Sequence, residues 1–246
     1  MFLTAEHDMV VKSYLEDYDI ETSEEQRRLL LMHLDLVVEK NKVMNLTRIV
    51  NERDAIIRHL VDSLLLYRCI PRSLETDRRR FVDVGTGAGF PGIPLGVVSG
   101  WHGTLIDSVG KKARAVNEFI SALGLAETLN AEAIRAEDLA RRDGKQFDVV
   151  TARAVADLGA LLEYASPLVK RSGVCIFTKA QISKEEIVHA DRVGELVGFD
   201  MVSRETFELP EQQGHREVFV YEKQRKSKVK LPRQNGAATS KPLARR

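Results

Sequence analysis

Hydrophobic spacing divides the chain into two regimes. Over the first seventy residues apolar side chains recur at helical intervals. Ser23 followed by Gln26 has the spacing of a capping box, in which a hydroxyl and a side-chain amide satisfy the unpaired backbone N–H groups at a helix start. It opens a segment with Leu30, Leu34, Val37 and Val38 on one face. Asn51 is placed to cap a second helix, whose buried stripe is Ile56, Ile57, Leu60, Val61, Leu64 and Leu65. Pro71 ends that stretch, and the polar, arginine-rich residues 71–80 read as a linker.

From Arg80 the pattern becomes short apolar runs alternating with helical segments. Strands are expected at 81–84, 104–107, 147–151 and 173–178. Helices are expected at 111–123, stopped by Gly124, and at 158–169, with Pro167 near the end. Residues 206–209 and 217–221 read as a terminal hairpin. Strands alternating with helices imply a mostly parallel sheet covered on both faces.

Composition adds limits. The chain has 246 residues, 43% hydrophobic and 30% charged, enough for one domain with an accessory piece. Cys69 and Cys175 are the only cysteines and sit in apolar contexts, which argues against a disulfide framework or a cysteine zinc site and fits a reducing compartment. Glu6 and Asp8 near the start break any secretory pattern, and no apolar run approaches the roughly 18 residues a membrane helix needs. A cytoplasmic protein without metal or membrane contact is expected, and a monomer, since no heptad repeat is present. Charge is unevenly spread. Residues 223–246 carry nine Lys or Arg and no Asp or Glu, so residues 1–222 hold 28 basic and 36 acidic side chains, net −8. A basic terminal block reads either as a nucleic-acid-binding arm or as a solvated tail. The expected division is a helical extension at 1–75, a ligand-binding domain at 76–222 and a basic, flexible tail at 223–246.

Candidate chemistry centres on Gly85-Thr86-Gly87-Ala88-Gly89, between a strand and a helix that Pro91 can open. Asp107 ends the next strand, where a carboxylate can accept both hydroxyls of an adenosine ribose. Residues 87–92 also satisfy the dinucleotide pattern G-x-G-x-x-G, so a nicotinamide cofactor competes with S-adenosylmethionine. The Gly85/Gly87/Gly89 spacing favours the latter. So does Asp83, two residues upstream, because a carboxylate suits a cationic cofactor and opposes a pyrophosphate. The acceptor is constrained by absences. There is no Pro-Pro, hence no D/N-P-P-Y element to grip an exocyclic amine. Neither cysteine is placed as the nucleophile that pyrimidine C5 methylation requires. A ring nitrogen such as guanine N7 has a free lone pair and needs alignment and dryness, without a general base. Oxygen and carboxyl acceptors stay open on these grounds.

The stretch Phe81 to Leu95, FVDVGTGAGFPGIPL, resembles the glycine loop of the RsmG (GidB) family, bacterial 16S rRNA guanine-N7 methyltransferases. Asn45-Leu46-Thr47, His59, Asp62-Ser63-Leu64, Leu105-Ile106-Asp107-Ser108 with Lys111-Lys112, Ala136-Glu137, Thr151-Ala152-Arg153-Ala154 and the tail's Pro232-Arg233, Gly236 and Pro242-Leu243 extend it over residues 24–243. The resemblance implies a class I methyltransferase fold: α/β, Rossmann-like, a mostly parallel seven-stranded sheet with a C-terminal antiparallel hairpin and an N-terminal helical extension. It implies S-adenosylmethionine held by Asp83, Gly85, Gly87, Gly89, Phe90, Asp107, Ala136, Glu137 and Arg153. It further implies that Arg153 and Lys179 position the substrate, with 16S rRNA or the small ribosomal subunit as partner. Ala180 follows Lys179 where the family often has glycine. Blander roles compete: Arg153 in an ion pair with Asp107 or Asp157, His59 as a satisfied buried histidine, and Lys111, Lys112 and Arg114 as a solvated helix face. The competing functions are an NAD-dependent oxidoreductase, a non-enzymatic RNA-binding module, and a methyltransferase acting on small molecules or proteins.

Overall fold

A computed structural model describes residues 1–49, 51–74 and 79–244. Helices α1 (Ala5–Glu16) and α2 (Glu24–Asn41) open the chain, and the Ser23–Gln26 capping box at α2 is formed in both directions. The Asn51 side chain accepts from the Asp54 N–H and caps α3 (Glu52–Ala55). The ladder then widens to a π-helix over Ile56–Val61 and returns to α4 (Asp62–Arg68). The expected linker at 71–80 begins with a short 3-10 turn, Arg72–Leu74, and part of it lies outside the described residues.

The strands and helices that follow are β1 (Arg80–Val84), α5 (Gly92–Ser99), β2 (His102–Asp107), α6 (Gly110–Ala122), β3 (Leu129–Ala133), α7 (Ala136–Asp143), β4 (Phe147–Arg153), α8 (Leu158–Ala165), β5 (Val169–Lys179), α9 (Lys184–Val197), β6 (Phe199–Glu208) and β7 (His215–Lys223), with α10 (Ala237–Ser240) in the tail. The sheet order is β3-β2-β1-β4-β5-β7-β6. Strands β1 to β5 are parallel, and β7 runs antiparallel to both β5 and β6. Side chains along a strand alternate between faces. Thus Phe81, Leu105, Val149 and Ile176 join one core with Leu30 and Leu34 of α2, while Val82, Ile106, Val150 and Cys175 join the other with Leu139, Leu162 and Val193 of α7, α8 and α9. Burial on both faces explains why these strands carry consecutive apolar residues such as Phe81-Val82, Leu105-Ile106 and Val149-Val150.

The structure departs from the expected elements where that signal fades. Edge strand β3 reads LNAEA, and β6 alternates half-buried with exposed positions, so both lack an apolar run. Helix α8 ends at Ala165 rather than 169, and Val169 already belongs to β5. Pro167 cannot donate a helical hydrogen bond there.

Residues 224–244 do not stand free of the body, as a flexible tail would. Val229, Leu231 and Leu243 pack on the second core. Arg233 forms a two-pronged pair with Glu163 of α8, Nε to Oε1 at 2.7 Å and Nη2 to Oε2 at 2.6 Å. Arg141 donates to the Arg233 carbonyl at 2.8 Å, and the Gly236 N–H donates to Glu137 at 2.8 Å. Composition shows the charge of this segment but not the buried carboxylate waiting for it.

Replacing Arg233 with Gln leaves Glu163, with a side chain only 5% exposed, without its counter-charge. The expected cost is about 3 kcal/mol in urea unfolding, with faster proteolysis within 224–244. Unchanged stability and proteolysis would show that this pair does not hold the tail.

Candidate active site

The glycine loop leaves the end of β1 and is held from several sides. The N–H groups of Gly85 and Thr86 both donate to the Ile106 carbonyl of β2, at 2.8 and 2.9 Å. Gly85, Gly87 and Gly89 have φ of 73°, 61° and 91°, a region that side chains disfavour. A Cβ on Gly85 would also lie 2.5 Å from the Val155 side chain, whereas one on Gly87 would meet nothing nearer than the Gly85 carbonyl at 4.0 Å. The loop therefore keeps one bare backbone face.

Asp83 underpins the loop from inside. Its side chain is fully buried, accepting from the Gly92 N–H and the Thr151 hydroxyl, each at 3.0 Å. Burial pushes its pKa up to about 6. Asp83 is thus a fastener between β1, β4 and the start of α5, rather than an open contact for a cationic ligand. Asp107 clasps the loop at its rim, accepting from Gly87 N–H at 3.2 Å and Val109 N–H at 2.8 Å, with Lys112 at 3.8 Å. Each oxygen there retains capacity for another donor. His33, contributed by α2, meets the Ala88 carbonyl through Nε2 at 2.9 Å. The spare acceptors on Asp107 and the bare face at Gly87 fit an adenosine-type cofactor. Ala136 and Glu137 begin α7 in the adjacent layer, and Glu137 is engaged by the tail through Gly236.

A cleft of about 1050 Å³ opens where β4, β5 and β7 end or begin. The register explains its lining: Arg153 lies opposite Thr178, and Lys179 opposite Glu217. Arg58, His59, Asp62, Arg153, Lys179 and Arg216 line it. Arg153 pairs with Asp62 at 3.1 Å and donates to the Arg58 carbonyl at 2.9 Å. Its partner is neither Asp107 nor Asp157, which caps α8. Lys179 pairs with Glu186 at 2.8 Å and reaches the Ala156 carbonyl at 3.2 Å.

Phe90 links the loop to two residues that line the cleft. Its ring is stacked on His59 at 4.5 Å and 5°, and on its own account meets His33 at 4.4 Å and 32°. The Arg153 guanidinium lies 5.8 Å from its centroid. Desolvation lowers His33 to a pKa of about 4; the same burial, with the nearby Arg153 charge, lowers His59 to about 3. His59 also meets the Thr47 hydroxyl at 3.0 Å. So Arg153, Lys179, His59 and Asp62 converge in one cleft, while Asp83 and Asp107 hold the loop of Gly85, Gly87 and Gly89, which Phe90 follows. His33 and Arg216 carried no signal along the chain: one sits in the apolar register of α2 and the other in a hairpin, and only the fold brings them to the site.

A parallel sheet of this order, closed by an antiparallel hairpin and carrying a glycine loop off β1 with an acidic end to β2, defines a class I methyltransferase. The chain resembles, in fold, the crystal structure of ribosomal protein L11 methylase from Lactobacillus delbrueckii subsp. bulgaricus, with a TM-score of 0.51 and 18% identity over 71% of this chain and 80% of that one. It is 34% identical to the ribosomal RNA small subunit methyltransferase G of Alkaliphilus metalliredigens over 97% of this chain and 99% of the relative. It is 35% identical to that of Staphylococcus aureus strain Newman over 93% and 95% respectively. Residues 26–215 match the family described as GidB, rRNA small subunit methyltransferase G. The chain belongs to that family. Among the described residues no cluster of His, Cys, Asp and Glu could hold a metal ion, and no helix is long and apolar enough to cross a membrane.

The depressed histidines give a pH prediction. With folded values of about 4 and 3 against the ordinary 6.5, the folded state binds fewer protons than the unfolded one across that interval. Their contribution to stability is complete above pH 6.5 and is lost as pH falls toward 4. NMR titration of the imidazoles is expected to find both neutral at about pH 5.5, above both folded values and below the ordinary 6.5. Either ring titrating at its ordinary value would contradict the buried stack.

Proposed function

We propose that this chain transfers a methyl group from S-adenosylmethionine to N7 of a guanine in 16S rRNA, in line and without a covalent intermediate. The observation that carries the reading is the stack of Phe90, which follows the glycine loop, on His59, which lines the cationic cleft, in a member of this family. In this reading Asp107 accepts the ribose hydroxyls, the backbone of Gly85 and Gly87 lies along the cofactor with Gly89 and Phe90, and Ala136 and Glu137 flank the adenine. Asp83 acts beneath them by fixing the loop. The bound sulfonium supplies the electrophilic methyl group.

The remaining work falls to orientation. Arg153 and Lys179 stand at adjoining strand ends and orient the base, and the Phe90–His59 stack walls the contact from water. Guanine N7 presents a lone pair with no proton to remove, so alignment and dryness suffice. His59 suits this role, since it stays neutral and is bonded to Thr47. The basic tail adds salt-dependent attraction to RNA without choosing the base. The reading includes a monomer working in the cytoplasm, where small subunits are assembled.

The test is transfer of labelled methyl from S-adenosylmethionine to small-subunit rRNA, or to subunits lacking native modifications, with mapping of the product. Label at one guanine N7 is expected. Label on another atom, or none on RNA, would overturn the acceptor assignment. Gly85→Asp, which puts a side chain at φ 73° against Val155, is expected to abolish cofactor binding by calorimetry. Retained binding would overturn the cofactor assignment.

A further inference from the structure

The cleft contains an arrangement that base positioning does not explain. Asp62 begins α4 just after the π-helical turn, and its side chain is 6% exposed. Its two oxygens serve different arginines: Oδ2 accepts from Arg153 Nη1 at 3.1 Å, and Oδ1 from Arg216 Nε at 2.9 Å. Arg153 ends β4 and Arg216 lies near the start of β7, two strands separated by β5. One buried carboxylate therefore fixes two guanidinium groups across the width of an intervening strand. The π-helical turn, a distortion frequent at functional sites, carries Arg58 at the same mouth.

The charge at this place is not balanced. Asp62 offers one negative charge to two arginines. Arg58 bonds only the Gln213 amide oxygen, at 3.0 Å through Nε, and has no carboxylate partner among the described residues. Arg216 spends Nε on Asp62 and Nη1 on the His215 carbonyl at 2.7 Å, which leaves its Nη2 without a bond among those residues. Lys179 is already paired with Glu186, and Glu217, the other carboxylate lining the cleft, with Arg204. A body of net −8 thus concentrates surplus positive charge in one cleft, with open guanidinium N–H groups at its rim. Guanidinium forks match phosphate oxygens in geometry and charge.

We infer that Arg216 and Arg58 form a phosphate-binding subsite for the RNA strand that enters the cleft, and that Asp62 is the positioning residue that holds Arg216 and Arg153 in place. This rests on the rRNA methyltransferase reading above. Phosphate contacts fix register and orientation while the base is presented elsewhere. Arg216 and Arg58 hold the backbone on one side of the flipped or unstacked nucleotide, and Arg153, tied to the same carboxylate, faces its base. Asp62 couples the two tasks, because moving either arginine disturbs the other.

The test compares wild type with Arg216→Gln, Arg58→Gln, Arg216→Lys and Asp62→Asn. It measures RNA binding and steady-state methylation of small-subunit rRNA across a salt series, with S-adenosylmethionine affinity by calorimetry as the check on folding. Arg216→Gln and Arg58→Gln are each expected to flatten the slope of log affinity against log salt by about one, the loss of one phosphate contact. Each raises KM for RNA by about tenfold, more than it lowers kcat, with cofactor affinity retained. Arg216→Lys keeps the slope, because the charge remains, but not the full KM, because an ammonium cannot hold Asp62 and a phosphate in one plane. Asp62→Asn raises KM and leaves the slope, since both cations persist. If wild type binds RNA while Arg216→Gln leaves slope and KM unchanged, the subsite is wrong and the methyltransferase reading survives. Loss of cofactor affinity in Arg216→Gln would likewise overturn it, by showing a merely structural role. If wild type neither binds nor methylates RNA, the underlying reading itself fails.

Discussion

A buried carboxylate holds the site together. Asp83 lies at the end of β1 with no solvent contact and bonds both the Gly92 N–H and the Thr151 hydroxyl. Those bonds join the central strand to its neighbour β4 and to the first turn of α5, and the glycine loop is the chain caught between them. An anion at a helix start is favoured by the unpaired N–H groups there. Desolvation opposes it, which is why the pKa rises to about 6. Asp107 clasps the same loop from the rim, and His33 reaches the Ala88 carbonyl from α2. A five-residue loop is thereby fixed by side chains from three separate parts of the chain, and a ligand site needs that rigidity.

The position of Phe90 follows. Once the loop is fixed, its aromatic ring stands between His33 and His59, and both imidazoles are driven to the neutral form by burial. The N-terminal extension is therefore part of the site: α2 supplies His33, and the π-helical turn supplies His59 and Arg58. On the far side, the register of β4, β5 and β7 sets Arg153, Lys179 and Arg216 around one opening. Asp62 turns two of them into a single unit. The Phe90–His59 stack thus connects the glycine loop to the cleft.

Much of this is legible along the chain, for physical reasons. Strands β1, β2, β4 and β5 each carry a short apolar stretch buried on both faces: Phe81-Val82, Leu105-Ile106, Val149-Val150 and Val174–Phe177. The glycines and Asp107 stand out because a tight turn and a strand-end carboxylate require those residue types. Other features have no local signature. β3 and β6 are edge strands with mixed polarity, and α7 is largely polar. Asp83 lies near the loop in sequence, yet strand alternation puts it on the face of Phe81, under α5, so nearness to the glycines did not mean exposure to a ligand. Arg153 finds Asp62, 91 residues away, rather than the nearer Asp157. The tail's charge is evident from composition, but its anchor Glu163 lies 70 residues away, within a helix that reads as apolar. Pairings over such distances are properties of the packed chain.

The measurement that bears most directly on the two ligand sites of this reading is a crystal structure of the protein with S-adenosylhomocysteine and guanosine monophosphate together. The account predicts the adenosine ribose on Asp107 along Gly85–Gly89, and the guanine across Phe90 in the cleft beside Arg153. The nucleoside in the Arg153–Lys179 cleft with the glycine loop empty, or the guanine bound outside that cleft, would contradict it.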